Sequence, residues 1–379
     1  MIYDLIIQHA HVIDPATNRN GRYHILIQDG KIAKVLHATH ADEQLPEAKQ
    51  LIDAKEMIVT PGLIDLHVHV YEDKTPLGIS ADRIGVNQGV TTVVDAGSAG
   101  ATTFDEFIKI AIEPSTTEVL AWINISGSGL CQGLSELANM EWLAVEETKK
   151  LVKKDARVIG IKARMSGSVV KESGIEPLRV AKKLANELEL PTMVHIGNAP
   201  PKLTEVLPLL ESGDVVTHAF HGKKGGIFTE MGELLPEARE ALNRGVIFDV
   251  GHGTSSFSFA TMRHALKQGI KPKTISTDIY CHNVDGPVHS MAITMTKLVA
   301  LGISLEEVIE MSTAAPARIL NQANQLGTLQ EGTIADLTIM KLVDEPITLI
   351  DSEKEELVTP QYIKPVMTVK TGKVFTCTC

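Results

Sequence analysis

Pro61-Gly62-Leu63-Ile64-Asp65-Leu66-His67-Val68-His69 is the stretch on which the reading of this 379-residue chain turns. After Pro61 the texture changes from short, turn-broken strands to apolar strands alternating with longer amphipathic segments. The alternation of a strand sends His67 and His69 to the same side, where two neutral imidazoles form a chelating pair. An open doubly wound sheet would carry G-x-G-x-x-G at its first strand-to-helix turn, and the imidazole pair stands there instead. Strands are expected at 63–69, 91–97, 119–126, 158–165, 192–197, 215–220, 246–251 and 274–280. Helix-like segments at 104–112, 142–153, 178–188, 234–243 and 257–267 follow most of them. Eight parallel strands with intervening helices close into an α/β fold, a (β/α)8 TIM-like barrel.

Upstream, short strands are expected at 5–7, 11–13, 25–28, 32–36 and 58–59, with Asp29-Gly30 as a hairpin turn. The same texture returns from Gly327, at 337–340, 366–369 and 373–375. The expected organisation is a small β-sandwich domain built from both chain ends, 1–60 plus 327–379, with the barrel, 61–326, inserted between them. A length of 379 residues suits one large and one small domain.

Apolar residues make up 44% and charged residues 22%, as in ordinary soluble globular chains. The balance of 36 Lys and Arg against 47 Asp and Glu leaves −11, which repels a phosphate backbone, so nucleic acid is not an expected partner. No apolar run reaches the roughly 20 residues of a membrane helix. The first residues lack the basic, apolar and cleavage regions of a signal peptide, and a cytoplasmic location is expected. The four cysteines, Cys131, Cys281, Cys377 and Cys379, read as free thiols. A homo-oligomer is allowed, since nothing in the sequence sets the assembly state.

Barrel enzymes place reactive groups where strands end at the carboxyl face. Strand five ends in His195 and strand six in His218, and for each a hydrogen-bonded core histidine is the plain alternative. Strand eight ends in Ser276-Thr277-Asp278, an inward carboxylate or else a helix cap. Strand four carries Lys162 in Gly160-Ile161-Lys162, where an unpaired ammonium is costly and an ion pair is the plain alternative. Arg164, two residues on, points to the same side as Lys162.

These residues, in this order, resemble the amidohydrolase superfamily, specifically its dihydroorotase-like and hydantoinase-like branch. The resemblance rests on Pro61 through His69, Gly160-Ile161-Lys162, His195, His218, Ser276-Thr277-Asp278, Thr313-Ala314-Ala315-Pro316-Ala317 and Gly332-Thr333-Ile334-Ala335-Asp336-Leu337, and it spans nearly the whole chain. It implies two divalent metal ions, with zinc as the expected element. His67, His69 and Asp278 would hold the more buried ion, and His195 and His218 the more exposed one. Lys162, carboxylated by CO2, would bridge the two. Asp278 would serve as general acid and base.

Two departures bear on the substrate. Dihydroorotases of the family carry an arginine two residues beyond His-x-His, and Tyr71 stands there. The adenosine-deaminase-like branch places a glutamate three residues after the strand-five histidine, and Asn198 stands there. Arg164 is the candidate grip for a substrate carboxylate, through a bidentate fork. Tyr280, two beyond Asp278, could add a phenol, and His252 and His221 are loop-end histidines with weaker claims. The expected function is a binuclear, zinc-dependent amidohydrolase of the deacetylase kind. It would cleave an acyl amide or ester of a small carboxylate-bearing molecule, such as an N-acetyl amino acid or an acyl α-hydroxy acid. Such deacetylases occur among members labelled dihydroorotase or adenine deaminase. The alternatives are a cyclic amidase of dihydroorotase or hydantoinase type, adenine deamination, and a metal-free scaffold like the dihydropyrimidinase-related proteins, which have lost ligands retained here.

Overall fold

The structure, a computed structural model, describes residues 2–38 and 45–378. Seven parallel strands follow one another in sequence order around a curled sheet: Leu63–Val68, Val90–Gly100, Glu118–Asn124, Val158–Met165, Thr192–Ile196, Val215–Thr217 and Ile247–Phe248. Every residue of the first two is buried, as expected of parallel strands covered on both faces. The expected eighth strand pairs only through single bridges, Asp249 with Thr274 and Val68 with Ile279. Asp278 adopts φ 49°, outside strand geometry, and this interrupts the ladder. The bridges still close the ring, because Asp278 N–H donates to His67 O at 2.7 Å and His69 N–H donates to Ile279 O at 3.1 Å. The result is a TIM-like barrel.

Ile64, Leu66, Val94, Trp122 and Met193 belong to one apolar cluster at the base of the barrel, where the Trp122 indole donates to Leu66 O at 3.0 Å. Above this floor the first strand shifts register between Asp65 and Val68. Such a bulge re-aims side chains. Strict alternation would set His67 and His69 on the face opposite Leu66; past this bulge they join the interior group with it.

The expected helices appear with shifted ends, as Phe104–Phe107 continued by a π-turn over Ile108–Ile112, Val145–Lys154, Glu176–Glu187, Pro236–Arg244 and Phe259–Lys267. The helix expected from 142 begins later because Leu143 forms a bridge with Ser126. No helix of the described residues is long and apolar enough to cross a membrane.

Strands from both chain ends share a second, eight-stranded sheet. Its junction is Ile58–Pro61 against Leu337–Val343, antiparallel with Val59 opposite Ile339. Leu5, Ile7, Val12, Ile25, Val59, Leu337, Ile339 and Val369 form one apolar cluster on it. The strands expected at 5–7 and 11–13 are a single strand, Tyr3–Asp14, bulged between Ile7 and Ala10. A hairpin, Ile347–Ile350 with Glu356–Thr359, stands apart from this sheet. Cys131 and Cys281 are free thiols, and Cys379 lies outside the described residues.

Candidate metal centre

The barrel brings together all six residues expected to hold metal. His67 Nε2 and His69 Nε2 lie 3.3 and 3.2 Å from Asp278 Oδ1, and His218 Nε2 lies 3.8 Å from Asp278 Oδ2. His195 Nδ1 is 2.8 Å from His218 Nε2. Lys162 Nζ is 3.3 Å from His67 Nε2. His67, His218 and Asp278 offer ligand atoms within 4.8 Å of one another. His218 and Asp278 both have positive φ, 67° and 49°, a conformation that non-glycine residues adopt at some cost and that recurs at functional sites.

The outward nitrogens fix the tautomers. His218 Nδ1 donates to Gly251 O at 2.5 Å, which leaves a lone pair on Nε2 facing the cluster. Thr217 Oγ1 donates to Asp249 Oδ2 at 2.8 Å and so accepts from His67 Nδ1 at 2.9 Å, again leaving Nε2 free. His69 Nδ1 is held by Ser98 Oγ at 2.8 Å. Burial holds His67, His195 and His218 well below the ordinary imidazole range, His218 at about 3. Neutral imidazoles with oriented lone pairs are the state that ligates metal. Burial acts to raise Asp278, but its hydrogen bond with His69 and the neighbouring His218 and Lys162 side chains more than offset it and hold the carboxyl below its usual value.

Lys162 is fully buried, and among the described residues its nitrogen meets His67 Nε2 and Met193 Sδ, the latter at 3.3 Å. Burial lowers its pKa to about 7. A neutral amine is the nucleophile that CO2 requires, and an anionic carbamate in its place would suit neighbouring cations. Gly97, at φ 87°, makes room for this side chain, since a Cβ there would come 2.8 Å from Lys162 Cγ. The donor set and the orphaned lysine together fit a pair of divalent ions.

Arg164 lies in register with His195 on the adjacent strand. Its Nη1 donates to Glu136 Oε2 at 3.0 Å, in a pair whose side chains are 13% and 1% exposed. The guanidinium is therefore anchored by one arm. Tyr280 is half-buried, its ring 6.3 Å from that of His69 and its hydroxyl 2.5 Å from Thr254 Oγ1. His252 lies away from the ligand cluster, fully buried, with Nδ1 donating to Gly253 O at 2.8 Å and Nε2 accepting from Lys297 Nζ at 2.7 Å. Both ring nitrogens are thus engaged. His221 is buried and accepts from Lys223 N–H at 3.1 Å.

Sequence reasoning missed Glu136 and the buried carboxylates behind the histidines. Asp65 accepts from Thr277 and from His67 N–H, Asp95 from Ser98 and Val70 N–H, and Asp249 from Thr217, Thr274 and Ser276. Burial raises all three, Asp65 to about 7. A hydrophilic residue inside each apolar strand was the available signal. Glu136 offered none, because it sits in a loop without periodicity.

Comparison with known proteins fits this geometry. A deacetylase of Enterococcus faecalis is 40% identical over 381 residues, covering 99% of this chain and 100% of that protein. A crystal structure described as an adenine deaminase superposes with a TM-score of 0.91 at 40% identity, over 99% of this chain and 100% of the other. One described as a dihydroorotase gives 0.89 at 33% identity, over 99% and 98%. Residues 58–374 match the amidohydrolase family, and the chain belongs to that family.

Proposed function

We propose that the chain is a binuclear metal-dependent deacetylase that hydrolyses the acyl amide or ester of a small carboxylate-bearing substrate, such as an N-acetyl amino acid or an acyl α-hydroxy acid. The observation that carries the reading is Arg164, a cationic fork beside the imidazole cluster with one arm anchored on Glu136 and its other donors available to a carboxylate. The deacetylase relative supports it. Openings of cyclic amides and adenine deamination are disfavoured. Tyr71 is buried, with its hydroxyl on Thr103 O and Glu106 at 3.2 and 3.1 Å, and supplies no cation. Asn198 is exposed and is no acid.

In this reading His67, His69 and Asp278 would hold one ion and His195 and His218 the other, with Lys162, once carboxylated, as a further ligand. Zinc is proposed on the imidazole-rich donor set. When bound, such ions supply Lewis acidity at the scissile carbonyl and lower the pKa of water. Asp278 takes a proton from the attacking water at a carboxylate oxygen and returns it to the leaving nitrogen or oxygen as its bond to the carbonyl carbon breaks. Arg164 orients the carboxylate so that the carbonyl faces that water. Tyr280 contacts the same substrate, while His252 acts on the site only through its loop. The domain limits of 1–60 plus 327–379 and 61–326, with the two-ended sheet folded as a β-sandwich, belong to the same proposal, as does cytoplasmic action on a small-molecule substrate.

The test is a panel of N-acetyl amino acids of both hands, acyl hydroxy acids, dihydroorotate and adenine, offered to zinc-loaded protein. Acetate release from the acyl acids is expected. Turnover confined to dihydroorotate or adenine would overturn the reading.

A further inference from the structure

Among the described residues the hairpin Ile347–Ile350 with Glu356–Thr359 pairs with no strand of the large sheet, yet its turn is tied to the barrel mouth. Ser352 Oγ accepts from Ser256 N–H at 3.0 Å and Phe257 N–H at 3.1 Å, and donates to Gly253 O at 3.3 Å. Ser352 N–H donates to Phe257 O at 3.0 Å. Asp351, 1% exposed, accepts from Phe259 N–H at 2.7 Å through one oxygen. Its other oxygen accepts from Glu353 and Glu355 N–H at 2.8 and 2.9 Å and shapes the turn. Glu353 accepts from Ser258 Oγ at 2.8 Å. One short turn thus holds the loop 251–259 at Gly253 and along Ser256 to Phe259.

That loop is the backing of the site. Gly251 O orients His218 through Nδ1. Gly253, at φ 51°, donates its N–H to Thr277 O at 2.9 Å, and a Cβ there would come 2.5 Å from Asp278 Oδ2. Thr254 meets the Tyr280 hydroxyl. A shift of the loop would therefore move His218, Asp278 and Tyr280 together.

We propose that Ser352, seated by Asp351, is a positioning residue of the metal centre: the hairpin turn clamps the loop so that His218 and Asp278 keep their ligating geometry. The proposal rests on the reading that those two residues hold metal. Groups that orient ligands are typically worth 10- to 100-fold in metal affinity or activity. Ser352→Thr and Ser352→Val differ only in keeping or losing the hydroxyl, which separates the hydrogen bonds from the shape.

Zinc affinity of the full chain is measured by competition with a chromophoric chelator, together with kcat and KM on the best substrate of the panel. The valine variant is expected to lose about 10-fold or more in zinc affinity or kcat, and the threonine variant to stay near wild type. Should the valine variant fail to fold, Ser352→Ala takes its place against threonine. A hydroxyl-free variant that matches wild type in both measurements, or a threonine variant that loses as much, overturns the positioning role and leaves the metal reading intact. A wild-type chain that binds no zinc overturns both.

Discussion

Replacing Arg164 by methionine separates a substrate grip from a structural ion pair. The pair with Glu136 is buried, the side chains being 13% and 1% exposed, so loss of the guanidinium strands a carboxylate whose other neighbour, Asn124 Nδ2, is 3.5 Å away. Breaking a buried pair on one side costs about 3–5 kcal/mol of stability. Replacing Glu136 by leucine as well removes the stranded charge, so the double variant should regain much of that loss. Catalysis follows a different course. A charged hydrogen bond to the substrate carboxylate is worth about 1.5–3 kcal/mol, which is roughly a 10- to 150-fold fall in kcat/KM. Lost alignment adds to that fall. The assays are urea unfolding and acetate release from an N-acetyl amino acid and from its methyl ester. The single and double variants should both be slow on the acid and much less affected on the ester. Recovery of kcat/KM alongside stability in the double variant, or equal losses on acid and ester, would refute the assignment and leave Arg164 with a structural role.

Asp278→Asn retains an oxygen ligand but removes the base, so kcat should fall by about 10²-fold or more while metal content changes less; near-normal turnover would mean that another group moves the proton. Lys162→Ala should lose the metal pair and recover partly when a small carboxylic acid is supplied, and full metal and activity without rescue would contradict the carbamate. Burial of Lys297 lowers its pKa to about 7, so between pH 7 and the ordinary lysine value of 10.5 the unfolded chain holds a proton that the folded chain has released. Stability of the wild type should therefore rise with pH over that window relative to Lys297→Met, and parallel melting curves for the two would contradict it.

The candidate ligands were legible because most are polar side chains in otherwise apolar strands, where the cost of burial demands a reason. Lys162 between Ile161 and Ala163 and His218 after Val215-Val216-Thr217 are the plainest cases, and both lie in the cluster. The eighth strand was legible as a pattern but not as a ladder, because the positive φ of Asp278 is a tertiary consequence of closing the ring. Ala48–Asp53 escaped notice because five of its six residues are partly or fully exposed and show no apolar alternation. Glu136 and Ser352 were illegible for a further reason. Their partners lie 28 residues away for Arg164 and 95 or more for the loop at 253–257, and no local rule of spacing reaches across such distances. His252, a loop-end candidate by its sequence position, shows the same limit, since its ring partners Lys297 and Gly253 are set by the tertiary fold.

The proposed function stands on a two-ion centre held by His67, His69, Lys162, His195, His218 and Asp278. Elemental analysis of the purified, fully active chain tests it most directly. About two divalent ions per chain are expected, as a two-metal hydrolase requires. A chain that is fully active with one ion or none contradicts it.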